Sequence, residues 1–336
     1  MRIFIIKRLL LGLLVLFGVI SVTFVIVRII PSDPAAQWVG PRATQEQIEA
    51  ARVELGLNDS FFVQYTNFVA DLTQGNLGKS IRTHQPVISE LKAFLPATLE
   101  LVFLSTFIGV FLGLYLGVLS AKRKDQWVDH LCRFFSVATV SIPSFWIGLL
   151  LQSVFYGSLD LLPLGERLSM NVKLFHEIPD ITGMLLFDSL ITGNFVVFWD
   201  ALKHIILPGF VMALFPIGLV ARMTRSALLE ILSEDYIIAA RSYGLSERII
   251  MWSYALKNSL GPTATVVTLA IGYTLVNTFL VESIFSWPGI GNYIASAIVS
   301  LDYPAIMGVT IFSAVSYVFL NLAADMVIAL DPRVRI

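Results

Sequence analysis

The sequence has few charged residues, a single cysteine and no dense basic tract, and each shortage excludes a class of protein. Only 14% of its 336 residues are charged, whereas a soluble domain of this size usually has about a quarter. The net charge is −1, and without a Lys/Arg cluster to bind phosphates nucleic acid is not an expected partner. Cys132 alone cannot form an intramolecular disulfide. The four histidines lie far apart, so the sequence predicts no metal site.

A complete phosphate-binding loop is also missing. Gly78-Lys79-Ser80 matches the end of the motif G-x-x-x-x-G-K-[ST], but Thr73 stands where the motif requires its first glycine. We therefore interpret these residues as part of a turn. Neither ATP nor Mg²⁺ is expected to bind this chain, and no residue is predicted to be catalytic.

The sequence is rich in hydrophobic residues, which make up 56% of the chain and occur in long runs. A helix needs about 20 apolar residues to cross a hydrocarbon core of about 30 Å. Six runs reach or approach that length. The sequence therefore predicts an all-α integral membrane protein with six transmembrane helices, in runs 9–30, 97–121, 134–157, 205–221, 260–281 and 305–324.

The distribution of Lys and Arg predicts the orientation of these helices. Short cytoplasmic loops retain positive charge, and placing both termini in the cytoplasm puts 14 of the 23 basic residues on that side. The first run is too long for a secretory signal. An apolar segment at 183–199, interrupted by Asp188, would reverse this charge pattern if it crossed, so we expect it outside as a lid or re-entrant piece. A multi-pass protein of the inner (plasma) membrane follows.

The predicted organisation has three parts. Residues 1–30 form the cytoplasmic N-terminus and first transmembrane helix, and residues 97–336 form a core of five helices. Between them, residues 31–96 form a small external subdomain. An acidic and then apolar run at 46–57, closed by Gly56, predicts a short helix in this subdomain.

The longest predicted cytoplasmic loop contains a short amphipathic helix near 233–245. Ser233 can cap this helix, and Glu234 and Asp235 suit its positive N-terminal end. Gly244 can end it by adopting a left-handed conformation. On these grounds alone, the helix could lie on the membrane surface or bind another protein.

The small residues of this helix belong to a pattern that resembles a known sequence signature. Ala239-Ala240 would let another protein approach closely. Together with Gly244, Leu256-Lys257-Asn258 and Pro262, they resemble the cytoplasmic signature of permease subunits in binding-protein-dependent ABC importers. Ile238 replaces the glutamate that opens the signature in many members, a departure typical of the dipeptide, oligopeptide and nickel branch.

Other segments extend this resemblance over nearly the whole chain, and Thr182-Gly183 with Asp188 favours the peptide carriers. Those segments are Arg8-Leu9, Ile30-Pro31-Ser32-Asp33-Pro34, Gly75-Asn76-Leu77-Gly78-Lys79-Ser80, Pro96-Ala97-Thr98-Leu99-Glu100, Ser141-Ile142-Pro143-Ser144-Phe145-Trp146, Arg222-Met223-Thr224-Arg225, Glu282-Ser283-Ile284-Phe285-Ser286-Trp287-Pro288-Gly289-Ile290-Gly291 and Asp302-Tyr303-Pro304.

The resemblance implies an assembly in the lipid bilayer. This chain would form a channel with a second related permease. Two cytoplasmic subunits would bind ATP and Mg²⁺, and an external solute-binding protein would deliver a dipeptide, an oligopeptide or a related solute such as a nickel chelate. The residues implied in ATPase coupling are Glu234, Asp235, Ala239, Ala240 and Gly244.

Three acids near the ends of predicted spans have two possible roles. Glu100, Glu282 and Asp325 could pair or cap locally, or they could belong to the transport pathway, because charge at such depth is costly and often functional. A proton-coupled secondary transporter would want acids at the midplane. A multi-span subunit without transport activity would not need the small-residue helix. Both remain alternatives to the importer.

Overall fold

The computed structural model describes residues 2–29 and 33–329, and every regular element in these ranges is a helix. Ile30, Pro31 and Ser32, with the basic residues Arg333 and Arg335, lie outside the described residues. The α-helices are α1 Arg2–Ile29, α2 Pro34–Val39, α3 Gln45–Glu54, α4 Phe61–Thr73, α5 Val87–Lys122, α6 Trp127–Ser141, α7 Ser144–Gln152, α8 Met170–Phe175, α9 Leu185–Ile191, α10 Phe195–Leu232, α11 Asp235–Ser242, α12 Glu247–Ile249, α13 Leu256–Ile284, α14 Ile290–Val299 and α15 Tyr303–Ala329.

Four of these helices are long and apolar enough to cross a membrane by themselves. They are α5, α10, the stretch Ile6–Ile29 of α1 and the stretch Tyr303–Ala323 of α15. Two bent helix pairs also pass the same test of length and hydropathy when each pair is taken together. The α6 and α7 axes meet at 100°, and α13 bends by 51° between Thr263–Leu275 and Asn277–Ile284. The described residues therefore hold four candidate spans, or up to six if each bent pair is one span.

The third predicted run, 134–157, is not a continuous helix. Pro143 has no backbone N–H and restricts the residue before it to extended conformations. Ile142 accordingly has φ −85° and ψ 131°, so α6 ends at Ser141 and α7 begins at Ser144. A π-helical segment, Ser153–Ser158, follows α7.

The fourth predicted run, 205–221, is only the middle of α10, which contains Pro208 and Pro216. The segment 183–199, predicted as a lid or re-entrant piece, is divided between two helices. It contains the short helix α9, and its last five residues already belong to α10, which begins at Phe195. It is therefore not one continuous re-entrant piece.

The chain divides into two compact units. One comprises Ala97–Trp287 and the chain from Phe319 onward, and the other comprises Arg2–Pro96 and Pro288–Val318. The first unit has close contacts between α5 and α10. A Cβ atom added at Gly113 would lie 2.7 Å from Val220 Cβ, and one at Gly117 would lie 2.6 Å from Thr224 Cβ. These glycines let the two helices approach closely, which strengthens their van der Waals contact.

In the second unit, the Gly78-Lys79-Ser80 segment leads into a turn that is fixed by Asp302. Gly78 has φ +81°, which favours glycine. The Ser80 hydroxyl donates a hydrogen bond of 2.5 Å to Asp302, and the Ile81 N–H donates one of 3.0 Å. The helix predicted at 46–57 is α3, and Gly56 just beyond it has φ +61°. Both local predictions are confirmed.

Candidate functional site

The loop between α10 and α13 contains the predicted short helix as α11. Its N-cap residue is Glu234, whose side chain makes no capping hydrogen bond, and Asp235 is exposed in the first turn. The prediction that Ser233 caps α11 is wrong. Ser233 ends α10 instead, and its hydroxyl donates to the carbonyl of Glu230 at 2.6 Å. The carboxylates of Glu234 and Asp235 still lie where the helix dipole favours negative charge.

Gly244 ends α11 with φ +81°, as predicted. Its N–H donates to the Arg241 carbonyl at 2.9 Å, and the Leu245 N–H donates to the Ala240 carbonyl at 3.2 Å. These two hydrogen bonds form a Schellman motif, which satisfies the last carbonyls of a helix. The Leu245 side chain packs against Ile237, so the motif also turns an apolar residue back under the helix.

The two alanines of α11 lie on different faces of the helix and differ in burial. Ala240 is only 6% exposed and packs with Ile237 and Ile250, whereas Ala239 is exposed. The expectation that both alanines present a surface to another protein is therefore corrected for Ala240, which lies beneath the helix. Ile238, the residue before Ala239, is also exposed, and Tyr243, one turn after Ala239 at the C-terminal end of the helix, is 86% exposed. We call Ile238, Ala239 and Tyr243 the exposed face of α11.

Polar contacts hold α11 against the chain that follows it. Arg241 Nε donates to Glu247 Oε1 at 2.7 Å, and Nη2 donates to Oε2 at 3.3 Å. The hydrogen bond from Arg241 lowers the pKa of the Glu247 carboxyl, although partial burial opposes it. Asn258 Nδ2 donates to the Tyr236 hydroxyl at 3.0 Å. Asn258 is thus the signature residue that fastens α11 to the start of α13.

A buried ion pair joins α6 to α10. Arg225 donates from Nε and Nη2 to the two carboxylate oxygens of Asp129, and Ser120 and the Asp125 N–H donate to the same carboxylate. Arg222 and Arg225 follow directly on the fourth predicted run, 205–221, but α10 continues past both of them to Leu232. Arg222 is exposed, whereas Arg225 is partly buried and pairs with the fully buried Asp129.

Asp129 is a residue that the sequence reasoning missed. The signal was available, because Asp129, Cys132, Ser136 and Thr139 recur at helical spacing and all four are buried on one face of α6. A carboxylate in such a row must find a partner, since burying an isolated charge is very costly.

Glu100 is paired inside the first unit. Arg167 Nη2 donates to Glu100 Oε2 at 2.5 Å, and the Leu186 N–H donates to Oε1 at 2.6 Å. Arg167 also donates to the Gly183 carbonyl at 2.9 Å. The carboxylate therefore fastens the segment between α7 and α10 to α5, which is the pairing role that the sequence left open.

Glu282 is fully buried near Trp287. Thr98 Oγ1 donates to Glu282 Oε1 at 2.8 Å, and the Trp287 N–H donates to the Glu282 carbonyl at 2.8 Å. Trp287 Nε1 in turn donates to the Ala97 carbonyl at 2.9 Å. The third predicted acid, Asp325, has a side chain outside the described residues.

Asp188 organises the turn before α9. Its carboxylate accepts hydrogen bonds from the N–H groups of Ile181, Thr182 and Gly183 and from the Thr182 hydroxyl, between 2.7 and 3.1 Å. Burial by itself would raise the pKa of Asp188, but these hydrogen bonds outweigh it and hold the pKa below its ordinary value. The Thr182-Gly183 and Asp188 pattern is thus one structural unit.

Known proteins match this chain over its whole length. Residues 109–336 match the family described as binding-protein-dependent transport system inner membrane component, and residues 1–102 match the N-terminal region of such components. An Escherichia coli (strain K12) protein named "Probable D,D-dipeptide transport system permease protein" is 43% identical over 96% of this chain and 94% of its own length.

Two further relatives come from other bacteria. A dipeptide transport system permease protein of Alkalihalophilus pseudofirmus is 38% identical over 98% of each chain. An oligopeptide transport system permease protein of Bacillus subtilis (strain 168) is 35% identical over 100% of each chain. With the long apolar helices and the small helix between α10 and α13, these matches identify the chain as a member of the binding-protein-dependent transport system inner membrane component family.

Proposed function

We propose that this chain is one permease of an ATP-driven importer that carries dipeptides or oligopeptides inward across the inner membrane. The relatives named above are permeases of dipeptide, D,D-dipeptide and oligopeptide transport systems, and this supports a peptide as the solute. Six spans with both termini in the cytoplasm would place α11 inside, and the segment between α7 and α10 outside.

The proposed assembly contains four kinds of subunit. A second related permease completes the channel, and two cytoplasmic subunits bind ATP and Mg²⁺ and hydrolyse the nucleotide. An external solute-binding protein delivers the peptide. This chain supplies no catalytic residue and binds neither ATP nor Mg²⁺ itself.

The exposed face of α11 is the observation that carries this proposal. Two apolar side chains, Ile238 and Tyr243, are exposed on either side of the small Ala239. Behind them, Ile237 and Ala240 pack on Ile250. One face of this short helix packs on its own chain, and the opposite, exposed face is apolar. Such a face is better suited to bind in a groove on another protein than to contact water.

α11 is connected directly to the helices of the membrane spans, so a movement of α11 can be transmitted to them. α11 follows α10 after two residues, and the Asn258–Tyr236 hydrogen bond joins it to α13. Further along α10, Arg225 holds Asp129 of α6. We infer that closure of the two ATPase subunits displaces α11 and, through α10, α13 and α6, switches the channel between outward-facing and inward-facing states.

The paired acids favour an ATP-driven importer over a proton-coupled transporter. Glu100 pairs with Arg167, and Glu282 accepts a hydrogen bond from Thr98. A proton-coupled transporter would want acids at the midplane, whereas both of these side chains are engaged in contacts within the fold. Both residues therefore suit structural roles at the outer ends of their spans.

Purification and transport together test the proposal. An affinity-tagged copy of the chain, extracted in mild detergent from cells that make it naturally, should retain a second permease and an ATPase that mass spectrometry identifies. In proteoliposomes with ATP enclosed, the complex and its binding protein should take up labelled L-Ala-L-Ala or D-Ala-D-Ala without a proton gradient. Uptake that requires a proton gradient and ignores ATP would refute the proposal.

A further inference from the structure

A polar and aromatic surface lies near the middle of α10 and α13. The rings of Phe215 and Tyr273 are stacked, with centroids 3.8 Å apart and planes at 22°. One turn further along α13, Asn277 Nδ2 donates to the Tyr273 carbonyl at 2.9 Å. We call Phe215, Tyr273 and Asn277 the α10–α13 patch.

This patch is poorly suited to contact lipid. Tyr273 is 46% exposed, and among the described residues its hydroxyl has no hydrogen-bond partner. A hydroxyl or an amide that faces hydrocarbon loses its hydrogen bonds to water and gains none in return. Polar side chains within a span therefore usually face a water-filled cavity or another protein.

The bend of α13 lies within the same patch. The helix changes direction by 51° between Thr263–Leu275 and Asn277–Ile284, so Tyr273 precedes the bend and Asn277 follows it. Irregular backbone at membrane depth is tolerated where it is buried in protein or lines a water-filled cavity. Interrupted helices near the midplane are also where transporters commonly place their solute sites.

The exposed aromatic pair on α5 shows the contrast. Phe107 and Phe111 are 69% and 64% exposed and stack at 6.3 Å. Neither carries a polar group, and α5 is straight enough to count as a single span there. That pair suits lipid, and Phe107 is a matched control for Tyr273 and Asn277.

We propose that the α10–α13 patch contacts the transported peptide halfway through the membrane, an inference that rests on the proposed function. The Asn277 amide has a donor and an acceptor, which match the C=O and N–H groups that every peptide backbone carries. The Tyr273 hydroxyl adds a second polar contact, and the stacked rings offer an apolar surface to peptide side chains. Recognition of this kind depends little on the peptide's sequence.

Cysteine labelling of the assembled complex tests this placement. In a Cys132→Ser background, Asn277→Cys should react with an impermeant methanethiosulfonate reagent about tenfold faster than Phe107→Cys, because the reagent needs water around the thiol. L-Ala-L-Ala with the binding protein, under turnover with ATP, should slow the reaction at Asn277→Cys and leave Phe107→Cys unchanged. Equal rates at the two positions, or no effect of the peptide, would overturn the proposal.

Two controls separate the possible failures. A benzophenone attached through a maleimide at Asn277→Cys, if it photocrosslinks to the second permease, would show that the patch is a contact between permeases, and this outcome also overturns the proposal. Uptake of the same dipeptide is measured in the same vesicles. If no vesicles transport dipeptide, the proposed function itself fails. If they transport but give no protection, only the placement of the peptide fails.

Conservative substitutions give a second readout. Tyr273→Phe keeps the ring that stacks on Phe215 and removes only the hydroxyl, and Asn277→Ala removes only the amide. Each should lower dipeptide uptake at limiting peptide by about threefold to tenfold, the usual effect of losing one hydrogen bond to a ligand. Phe107→Leu, the matched control on the exposed apolar face of α5, should transport like the parent. Uptake by Tyr273→Phe and Asn277→Ala equal to the parent's would contradict a peptide contact.

Discussion

Arg225 holds Asp129 with two hydrogen bonds of 2.7 Å each, one to each carboxylate oxygen. Asp129 is fully buried on α6, and the Ser120 hydroxyl also donates to it. Three helices, α5, α6 and α10, therefore meet at one carboxylate. Loss of Arg225 would leave this buried carboxylate with the longer and more exposed ion pair to Arg133, at 3.8 Å. A buried charge that is so weakly compensated costs far more than loss of an exposed pair.

Removing the arginine should consequently destabilise the protein. We expect Arg225→Ala to cost about 3–5 kcal/mol, seen as earlier thermal unfolding of the purified complex in detergent. Arg222→Ala, exposed on the same helix, should stay within about 0.5 kcal/mol of the parent. The double variant Asp129→Asn with Arg225→Ala should lose less than Arg225→Ala alone. Equal losses from Arg222→Ala and Arg225→Ala would contradict the structural role of the pair.

The different burial of Ala239 and Ala240 predicts two different defects. Ala239→Asp places a carboxylate on the exposed face of α11, so the loop should fold normally while the ATPase subunits co-purify poorly. Ala240→Asp buries the carboxylate beneath α11 at a cost of several kcal/mol, so the loop itself should open. Trypsin cleavage after Arg241 and Arg248 measures the difference. It should be faster than in the parent only for Ala240→Asp, and equal cleavage of both variants would disprove the assignment of faces.

Gly244 allows backbone strain to be tested without steric clash. Its φ is +81°, and an added Cβ would meet nothing within 4 Å. Gly244→Val should therefore cost about 1–2 kcal/mol from backbone conformation alone and reduce ATPase stimulation by peptide-loaded binding protein. Gly244→Asn is the control, because asparagine tolerates positive φ, and it should retain most of the stimulation. A Val variant as active as the Asn variant would show that the Schellman motif is not needed for coupling.

Membrane sidedness follows from two exposed positions. In a Cys132→Ser background, Leu190→Cys should react with an impermeant thiol reagent added outside intact cells, and Ser246→Cys should react only after permeabilisation. Both positions are exposed in the structure, so burial does not confuse the comparison. The reverse pattern would invert the proposed topology.

The turn held by Asp188 should depend on pH. Its pKa is lowered in the folded chain, so its stabilising contribution is fully present above the ordinary carboxyl pKa of about 4 and is lost as pH falls through the lower, folded value. Near neutral pH the turn should be fully formed, and Asp188→Asn should loosen it there, whereas the difference between the two proteins should disappear at a pH below the folded pKa. Labelling of Leu190→Cys from outside reports this. A rate that does not change with Asp188→Asn would show that the carboxylate does not hold the turn.

Several features could be predicted from the sequence because their signals are local. The apolar runs gave the helical membrane class, and the Thr182-Gly183 and Asp188 pattern marked a real unit. Gly244 was predicted to end its helix because a left-handed C-terminal glycine needs only its neighbours. Other features depend on what packs against them. Whether Ala239 or Ala240 faces outward is set by Ile250, which lies 15 residues beyond the start of the helix at Asp235.

Long-range partners were harder to predict for the same physical reason. Nothing near Glu100 in the sequence points to Arg167, because the fold brings together residues that are 67 positions apart. Arg225 and Asp129 are 96 positions apart. Pro143 by itself predicts a break in the helix, because proline lacks a backbone N–H. A search for long apolar runs overlooks this break, because hydropathy does not depend on whether a residue can donate a backbone hydrogen bond. Boundaries set by such breaks therefore need the structure.

The close approach of α5 and α10 has a mechanical consequence. Where Gly113 meets Val220 and Gly117 meets Thr224, no flexible side chain stands between the two backbones to absorb a shift. Densely packed interiors transmit strain and deform little. A displacement of the end of α10 that leads into α11 should accordingly move α5 with it, so that the two helices shift as one rigid body. Glu100 of α5 and its partner Arg167 would then move in response to that displacement, although neither helix changes its own conformation.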